Sequence, residues 1–328
     1  MSTNEVYYAT LKANLPSEVS YKTYVSSLNS LLRRLSVESI NEILMKPTKY
    51  IPKINAEYEN IGTRINVYKI MLSLYTHTPD LKEQNKSKWQ KWWDGFVTLN
   101  DFMKEKAKEN KPTLKQDDKY VSFEDIELKH HELKSSADPH DTKKKSQQYL
   151  LLSLILEITP KRSDFGSVRI YKDNEPTAGS SASKSNFIVI KSKGSLDNSY
   201  LVMNKYKTAK TYKRYEEDLS SKFVNVLKQS MRRYPRPYLF VDTQGNPYNN
   251  NGYGHFFSRN FGDLFGKDGG VSLLRHSYIS ERLSNGKSDK ELEEIAHLMG
   301  HSLDQQRSYR FVTKVNPLRK CECDIKNS

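Results

Sequence analysis

Apolar residues recur at helical spacing through the first third of the chain. Tyr21, Tyr24, Val25, Leu28, Leu31, Leu32 and Leu35 follow the i, i+3, i+4, i+7 rule and predict a helix over 21–35, with Ser20 at its N-cap. Similar stretches follow at 39–45, closed by Pro47, at 63–75 and at 89–106. In the last of these, Trp89, Trp92, Trp93, Phe96, Leu99, Phe102 and Met103 read as one packed face. Over 104–119 the pattern dissolves into Lys, Glu, Asp and Asn around Pro112, with almost nothing to bury, and a linker is expected there.

Beyond the linker the period changes twice. A buried helix is expected at 147–158, and then 187–190 and 200–204 are short runs of β-branched and aromatic residues around a loop with Gly194 and Asn198. Helical spacing returns at 218–232, 253–265, 273–283 and 289–298. Ser288 with Glu291 three residues on is a capping-box pair that fixes the start of the last helix. The stretch 249–254 reads as a loop, and the glycine-rich 266–270 as a turn, since it lacks phosphate-loop spacing. The fold expected is mainly α with a small antiparallel β-sheet, in two domains.

Composition narrows the class. The chain has 328 residues, with 53 Lys and Arg against 39 Asp and Glu, a formal net charge of +14 that suits a polyanionic partner, usually nucleic acid. Apolar residues at 36%, with 21 tyrosines, suffice for packed cores and argue against wholesale disorder. Cys321 and Cys323 are the only cysteines, so no disulfide framework is expected. No apolar run spans a bilayer, and no apolar signal core opens the chain. These features point to a soluble intracellular protein, acting wherever its target DNA or RNA lies, and away from membrane, cystine-rich and fibrous classes.

Three segments carry candidate chemistry. They are Thr159-Pro160-Lys161-Arg162-Ser163-Asp164-Phe165, Ser272-Leu273-Leu274-Arg275-His276-Ser277-Tyr278 and His297-Leu298-Met299-Gly300-His301-Ser302, with Tyr309 eight residues past His301. A tyrosine hydroxyl can store phosphoester energy as a covalent phosphodiester, and paired arginines are permanent, bidentate donors to phosphate oxygens. Their order and spacing, over about 120–315 and behind a helical half, resemble the tyrosine recombinase (integrase) family, as found in mobile elements and large DNA viruses.

The resemblance implies a two-domain C-shaped clamp on double-stranded DNA. A helical core-binding domain at 1–106 and a linker at 107–119 would precede a catalytic domain at 120–315 and a tail at 316–328. It implies Tyr309 as nucleophile, Arg162 and Arg275 as the phosphate clamp, and His301 as the third-box histidine. The family also places a general-acid lysine on a β-hairpin; Lys207 matches it best, with Lys205 and Lys210 as rivals. At 160–162 either Lys161 or Arg162 can be aligned with the first clamp position, and Arg162 suits the family spacing better.

One position departs from the pattern. Ser272 stands where the family usually has histidine; it can donate to phosphate but cannot be a cation or a base, so His301 and His276 would take over proton transfer. The resemblance implies no cofactor and no metal. His297 and His301 are four apart, but Leu298 replaces the glutamate of a zinc hydrolase motif and Gly300 is expected to end the helix between them. A homotetramer acting on two duplexes is implied, with the tail after Tyr309 exchanged between protomers through Phe311, Val312 and Val315. Two alternatives stay open: a type IB topoisomerase, and a catalytically silent DNA-binding protein on the same fold.

Overall fold

The computed structural model describes residues 3–192, 198–282 and 288–311. The chain divides into two compact units, 1–109 and 110–328.

The first unit is helical throughout: α1 (Thr3–Asn14), α2 (Glu18–Leu35), α3 (Ile40–Met45), α4 (Pro47–Glu57), α5 (Ile61–His77), the short α6 (Leu81–Gln84) and α7 (Lys86–Lys108). Helix α2 starts one turn before the sequence pattern suggests, because Ser17, not Ser20, caps it and accepts from the Ser20 amide. Pro47 ends α3 but also opens α4 from the first helical position, where its missing N–H costs nothing. That break frees the Leu44 carbonyl, which accepts from Tyr75 Oη at 2.8 Å and Trp92 Nε1 at 3.1 Å. Helix α5 is buried nearly all round and forms the centre of the core. The expected packed face of α7 is only partly buried: Trp92 is fully enclosed, whereas Trp93, Phe102 and Met103 are exposed.

The second unit wraps helices around a small sheet. In order it contains α8 (Leu114–Asp118), α9 (Phe123–Ser135), α10 (Lys143–Glu157), a 3₁₀ turn (Ser163–Ser167), β1 (Arg169–Lys172), β2 (Phe187–Ile190), β3 (Tyr200–Met203), α11 (Ala209–Tyr212), β4 (Tyr215–Asp218), α12 (Ser221–Arg233), α13 (Asn250–Phe265), α14 (Val271–Arg282), α15 (Asp289–Leu298) and α16 (Leu303–Tyr309). Thr113 and Gln116 form a capping box that turns part of the expected linker into α8. Asn249 caps α13 by accepting from the Gly252 amide, so the expected loop at 249–254 is instead a helix start.

The strands lie in the order β1-β2-β3-β4. The β2–β3 and β3–β4 pairs are antiparallel, but β1 runs parallel to β2, so the sheet is mixed and not wholly antiparallel as expected. Residues 173–186 carry the chain back along the sheet before β2 begins, the kind of crossover a parallel pair requires. Both faces of β2 are buried: Ile188 and Ile190 join the main core with α10, while Phe187 and Val189 pack with Val202 under Tyr171 and Tyr200. Burying each of Leu150, Leu151 and Leu152 in α10 contributes about 2 kcal/mol, which makes α10 a rigid base for the segment that follows it. Among the described residues, no helix is long and apolar enough to cross a membrane.

Candidate active site

Arg162 stands at the head of the 3₁₀ turn that follows α10. The turn is pinned to the start of α13, because the Tyr248 amide donates to the Gly166 carbonyl at 3.0 Å. A Cβ on Gly166 would lie 2.8 Å from the Tyr248 oxygen and from Tyr253 Cβ, so only glycine allows this approach. Arg162 is half-buried and makes no hydrogen bond or ion pair with the described residues, which leaves its guanidinium free for a ligand. Asp164, two residues on, is buried; burial pushes its carboxyl up, against the pull of Arg162, Arg275 and Lys161.

Arg275 on α14 is fully buried. Nη1 donates to the Pro160 carbonyl at 3.0 Å and to the Met299 carbonyl at 3.2 Å; Nη2 donates to the Met299 carbonyl at 3.3 Å and to His301 Nδ1 at 2.6 Å. Among the described residues its Nε has no partner. A guanidinium can only donate, so His301 Nδ1 must accept, and the ring carries its proton on Nε2. That Nε2–H reaches Gln306 Oε1 at 3.3 Å, and the orientation of the Gln306 amide is set by its own donation to the Leu292 carbonyl at 3.1 Å. Burial, reinforced by the charge of Arg275, pushes the His301 imidazole down to about 4. His301 is therefore a neutral orienting group for Arg275, with the nitrogen that could act as a base already occupied.

Tyr309 ends α16 and lies against both residues. Its ring stacks on His301 at 5.5 Å and 18°, and Arg275 Cζ sits 5.2 Å from the ring centroid. On the other side, His276 Nδ1–H donates to the Tyr309 carbonyl at 2.7 Å, and its ring packs at 4.7 Å. Phe311 then closes the turn: its amide donates to Ser280 Oγ at 2.8 Å and its ring stacks on His276 at 4.1 Å and 9°. Phe311, the first of the three expected tail anchors, is seated here on its own Ser280 and His276, while Val312 and Val315, like Cys321 and Cys323, lie outside the described residues.

Lys207 belongs to the turn between β3 and β4 and is exposed. Together with Arg162 and Lys205 it lines an open cleft of about 590 Å³, joined by Asn250 at the positive N-terminal end of α13. Lys210 does not line this cleft. Lys161 does not line it either: it is buried, its Nζ donates to the Leu298 carbonyl, and it sits 3.6 Å over the Tyr215 ring. Burial pushes the Lys161 ammonium down to about 8. With Lys161 engaged in this way, Arg162 is the cation of the pair presented to the cleft.

The structure therefore brings Arg275, His301 and Tyr309 into direct contact and puts Arg162 and Lys207 on one adjoining cleft. Ser272 is not part of either group: it is exposed, one turn before Arg275, and its hydroxyl makes no hydrogen bond to the described residues. His297 is exposed with its ring edge-on to Tyr212 at 5.2 Å, and Gly300 ends the helical run with φ of +66°. No group of three or more His, Cys, Asp or Glu side chains arranged to hold a metal occurs among the described residues. Sequence reading missed the roles of Asn186, Thr208 and Gln306, whose only signal is contact with segments far away in the chain.

No protein-family model matches this sequence, and no curated protein matches it. Solved structures do. A XerH site-specific recombinase bound to palindromic difH substrate, in a post-cleavage complex, matches with a TM-score of 0.53 and 15% identity over 94% of this chain and 80% of that one. A lambda integrase (75–356) dimer bound to a COC' core site matches with a TM-score of 0.50 and 13% identity over 94% of each chain. At these identities the likeness establishes the fold.

Proposed function

We propose that this chain, which has the tyrosine recombinase (integrase) fold, is a site-specific DNA recombinase that cuts and rejoins strands through a 3′-phosphotyrosyl intermediate. The observation that carries the reading is the packing of Tyr309 directly on His301 and Arg275, so that residues from three of the recognised boxes meet at one point beside a cationic cleft. Tyr309 Oη loses its proton to solvent as it attacks the scissile phosphorus, and the bond from phosphorus to the 5′ oxygen breaks. Arg162 and Arg275 balance charge on the non-bridging oxygens. The Lys207 ammonium donates a proton to the departing 5′ oxygen. A 5′-hydroxyl from a partner duplex then reverses the step and reseals the strand. No residue in this scheme needs a metal or a nucleotide.

Arg275 reaches this role with one edge already committed to backbone carbonyls and His301, so its unpartnered Nε is the donor left for phosphate. The first unit serves as the core-binding domain at 1–106, joined by the linker at 107–119, so that both units engage double-stranded DNA. The +14 charge supports this, and binding then falls steeply with salt. The working assembly is a homotetramer on two duplexes, of the kind encoded by mobile elements and DNA viruses.

The test is covalent capture on a random library of nicked duplexes in EDTA, comparing the protein with Tyr309→Phe. A denaturation-resistant adduct that disappears in Tyr309→Phe supports the reading, and sequencing the trapped DNA identifies the target. An adduct unchanged in Tyr309→Phe sinks the assignment of the nucleophile. Relaxation of a single supercoiled duplex without strand exchange would favour the topoisomerase alternative.

A further inference from the structure

Asn186 precedes β2 and is 3% exposed. Its carboxamide uses its full hydrogen-bonding capacity on two other segments. Nδ2 donates to the Lys205 carbonyl at 2.7 Å and to the Asp164 carbonyl at 3.3 Å, and Oδ1 accepts from the Lys205 amide at 2.7 Å and the Asn204 amide at 2.9 Å. Two donors and two lone pairs are all that an amide offers. One side chain therefore ties the turn that follows Arg162 to the chain leaving β3 towards Lys207.

A second tether lies just past Lys207. Thr208 Oγ1 donates to the Gly300 carbonyl at 2.9 Å, one residue before His301. Only Tyr206 and Lys207 separate the two anchored positions. The backbone of Lys207 is thereby fixed relative to Arg162 on one side and to the His301 turn on the other, although its own side chain is exposed.

We propose that Asn186 is a positioning residue that sets the Lys207 turn against the Arg162 segment, so that the lysine ammonium reaches the departing 5′ oxygen. The inference rests on the recombinase reading above. Asn186 touches no reacting atom. It acts on one transfer: as the phosphorus–oxygen bond breaks, a proton leaves Lys207 Nζ for the 5′ oxygen and a neutral amine remains. A misplacement of about 1 Å at such a step can cost on the order of 100-fold in rate.

A change of leaving group isolates that step. A duplex with sulfur in place of the bridging 5′ oxygen expels a thiolate, which needs no proton, whereas the demand on the arginines is unchanged. The probe is the captured target sequence made with either bridging atom, in single-turnover cleavage by the full chain. Asn186→Ala should cleave the oxygen substrate about 10- to 100-fold more slowly than wild type, in line with a misplaced acid, and should recover nearly the wild-type rate on the sulfur substrate. Arg162→Ala should not be rescued. Thr208→Val, which leaves the amide hub intact, should show the same rescue with a smaller defect, and covers the case in which Asn186→Ala does not fold. A folded Asn186→Ala that cleaves oxygen DNA at the wild-type rate would overturn the proposal, as would equal defects on both substrates. A wild-type protein that forms no adduct would overturn the recombinase reading itself, and this proposal with it.

Discussion

Arg275 Nη2 donates to His301 Nδ1 at 2.6 Å, and this single bond decides the protonation state of the histidine. A cationic donor at Nδ1 excludes a proton there, and burial holds the ring's pKa down at about 4. Arg275 in turn is pushed down by its burial but remains a cation, as arginine does at any ordinary pH. The pair therefore works as a neutral imidazole aiming a charged guanidinium.

That arrangement predicts an acid-sensitive fold. The folded His301 titrates near 4 and an unfolded histidine near 6.5, so the unfolded state binds more protons between these values. The stabilisation is present in full above about pH 6.5 and is lost as pH falls towards 4, on the order of 3 kcal/mol across the window. Burial depresses His276, His130 and His140 as well, which adds to the same slope. Urea midpoints from pH 7 to pH 4.5 should fall steeply for wild type and less steeply for His301→Gln, whose amide oxygen can still accept from Arg275. Equal slopes for both proteins would contradict the assignment.

Gly300 makes a second prediction. Its φ is +66°, and a Cβ would meet Thr208 Oγ1 at 2.8 Å. Gly300→Ala should cost about 1–2 kcal/mol from backbone strain, with the steric clash in addition. Thr208→Ala removes the clash but not the strain, so the double variant should be less destabilised than the sum of the single variants. Additive losses in chemical denaturation would show that the two residues are not in contact.

Lys161 predicts a pH dependence of the same sign in a more alkaline window. Its ammonium titrates near 8 in the fold, against 10.4 or so when free, so the unfolded chain holds the proton more tightly. The cost of burying the charge is present in full below about pH 8 and is relieved as pH rises towards 10.5, so this group raises stability with pH by roughly 3 kcal/mol over that interval. Lys161→Met removes the charge and keeps most of the apolar contact with Tyr215. Its stability should lack the rise between pH 8 and 10, measured by urea midpoints beside wild type.

The periodic helices were legible because their apolar faces repeat: α2, α5, α10, α12 and α15 lie where spacing puts them, and the Ser288–Glu291 box starts α15 as expected. Reading failed where local chemistry carries two meanings. Pro47 stops one helix and starts another, and Asn249 with Gly252 looks like a loop yet caps α13. Helix α1 buries only Tyr7 and Leu11, too little for a periodic signal. The strand β4 is a charged tetrapeptide whose register comes from pairing Met203 with Tyr215. The site divides in the same way. Its segments could be named from residue types and spacing, but the engagement of Lys161 with Leu298, the tautomer of His301 and the hub at Asn186 depend on contacts between distant parts of the chain.

Arg162 and Ser272 give the sharpest contrast for the chemistry. Arg162 reaches an open cleft with its guanidinium free of hydrogen bonds and ion pairs to the described residues, whereas Ser272 is exposed and its hydroxyl makes no hydrogen bond to them. Arg162→Ala should lower single-turnover cleavage by about 100- to 1000-fold, the usual loss for a preorganised donor to a developing oxyanion. Binding to the same duplex should weaken far less, since one cation among many contributes little to total phosphate contact. Ser272→Ala should leave both quantities within experimental scatter of wild type, because no hydrogen bond of its hydroxyl to the described residues is lost. If Ser272→Ala instead cuts the cleavage rate while sparing binding, then α14 must turn or tilt on DNA to bring Ser272 to the phosphate, and the histidine usual at that position would be functionally replaced by a hydroxyl donor.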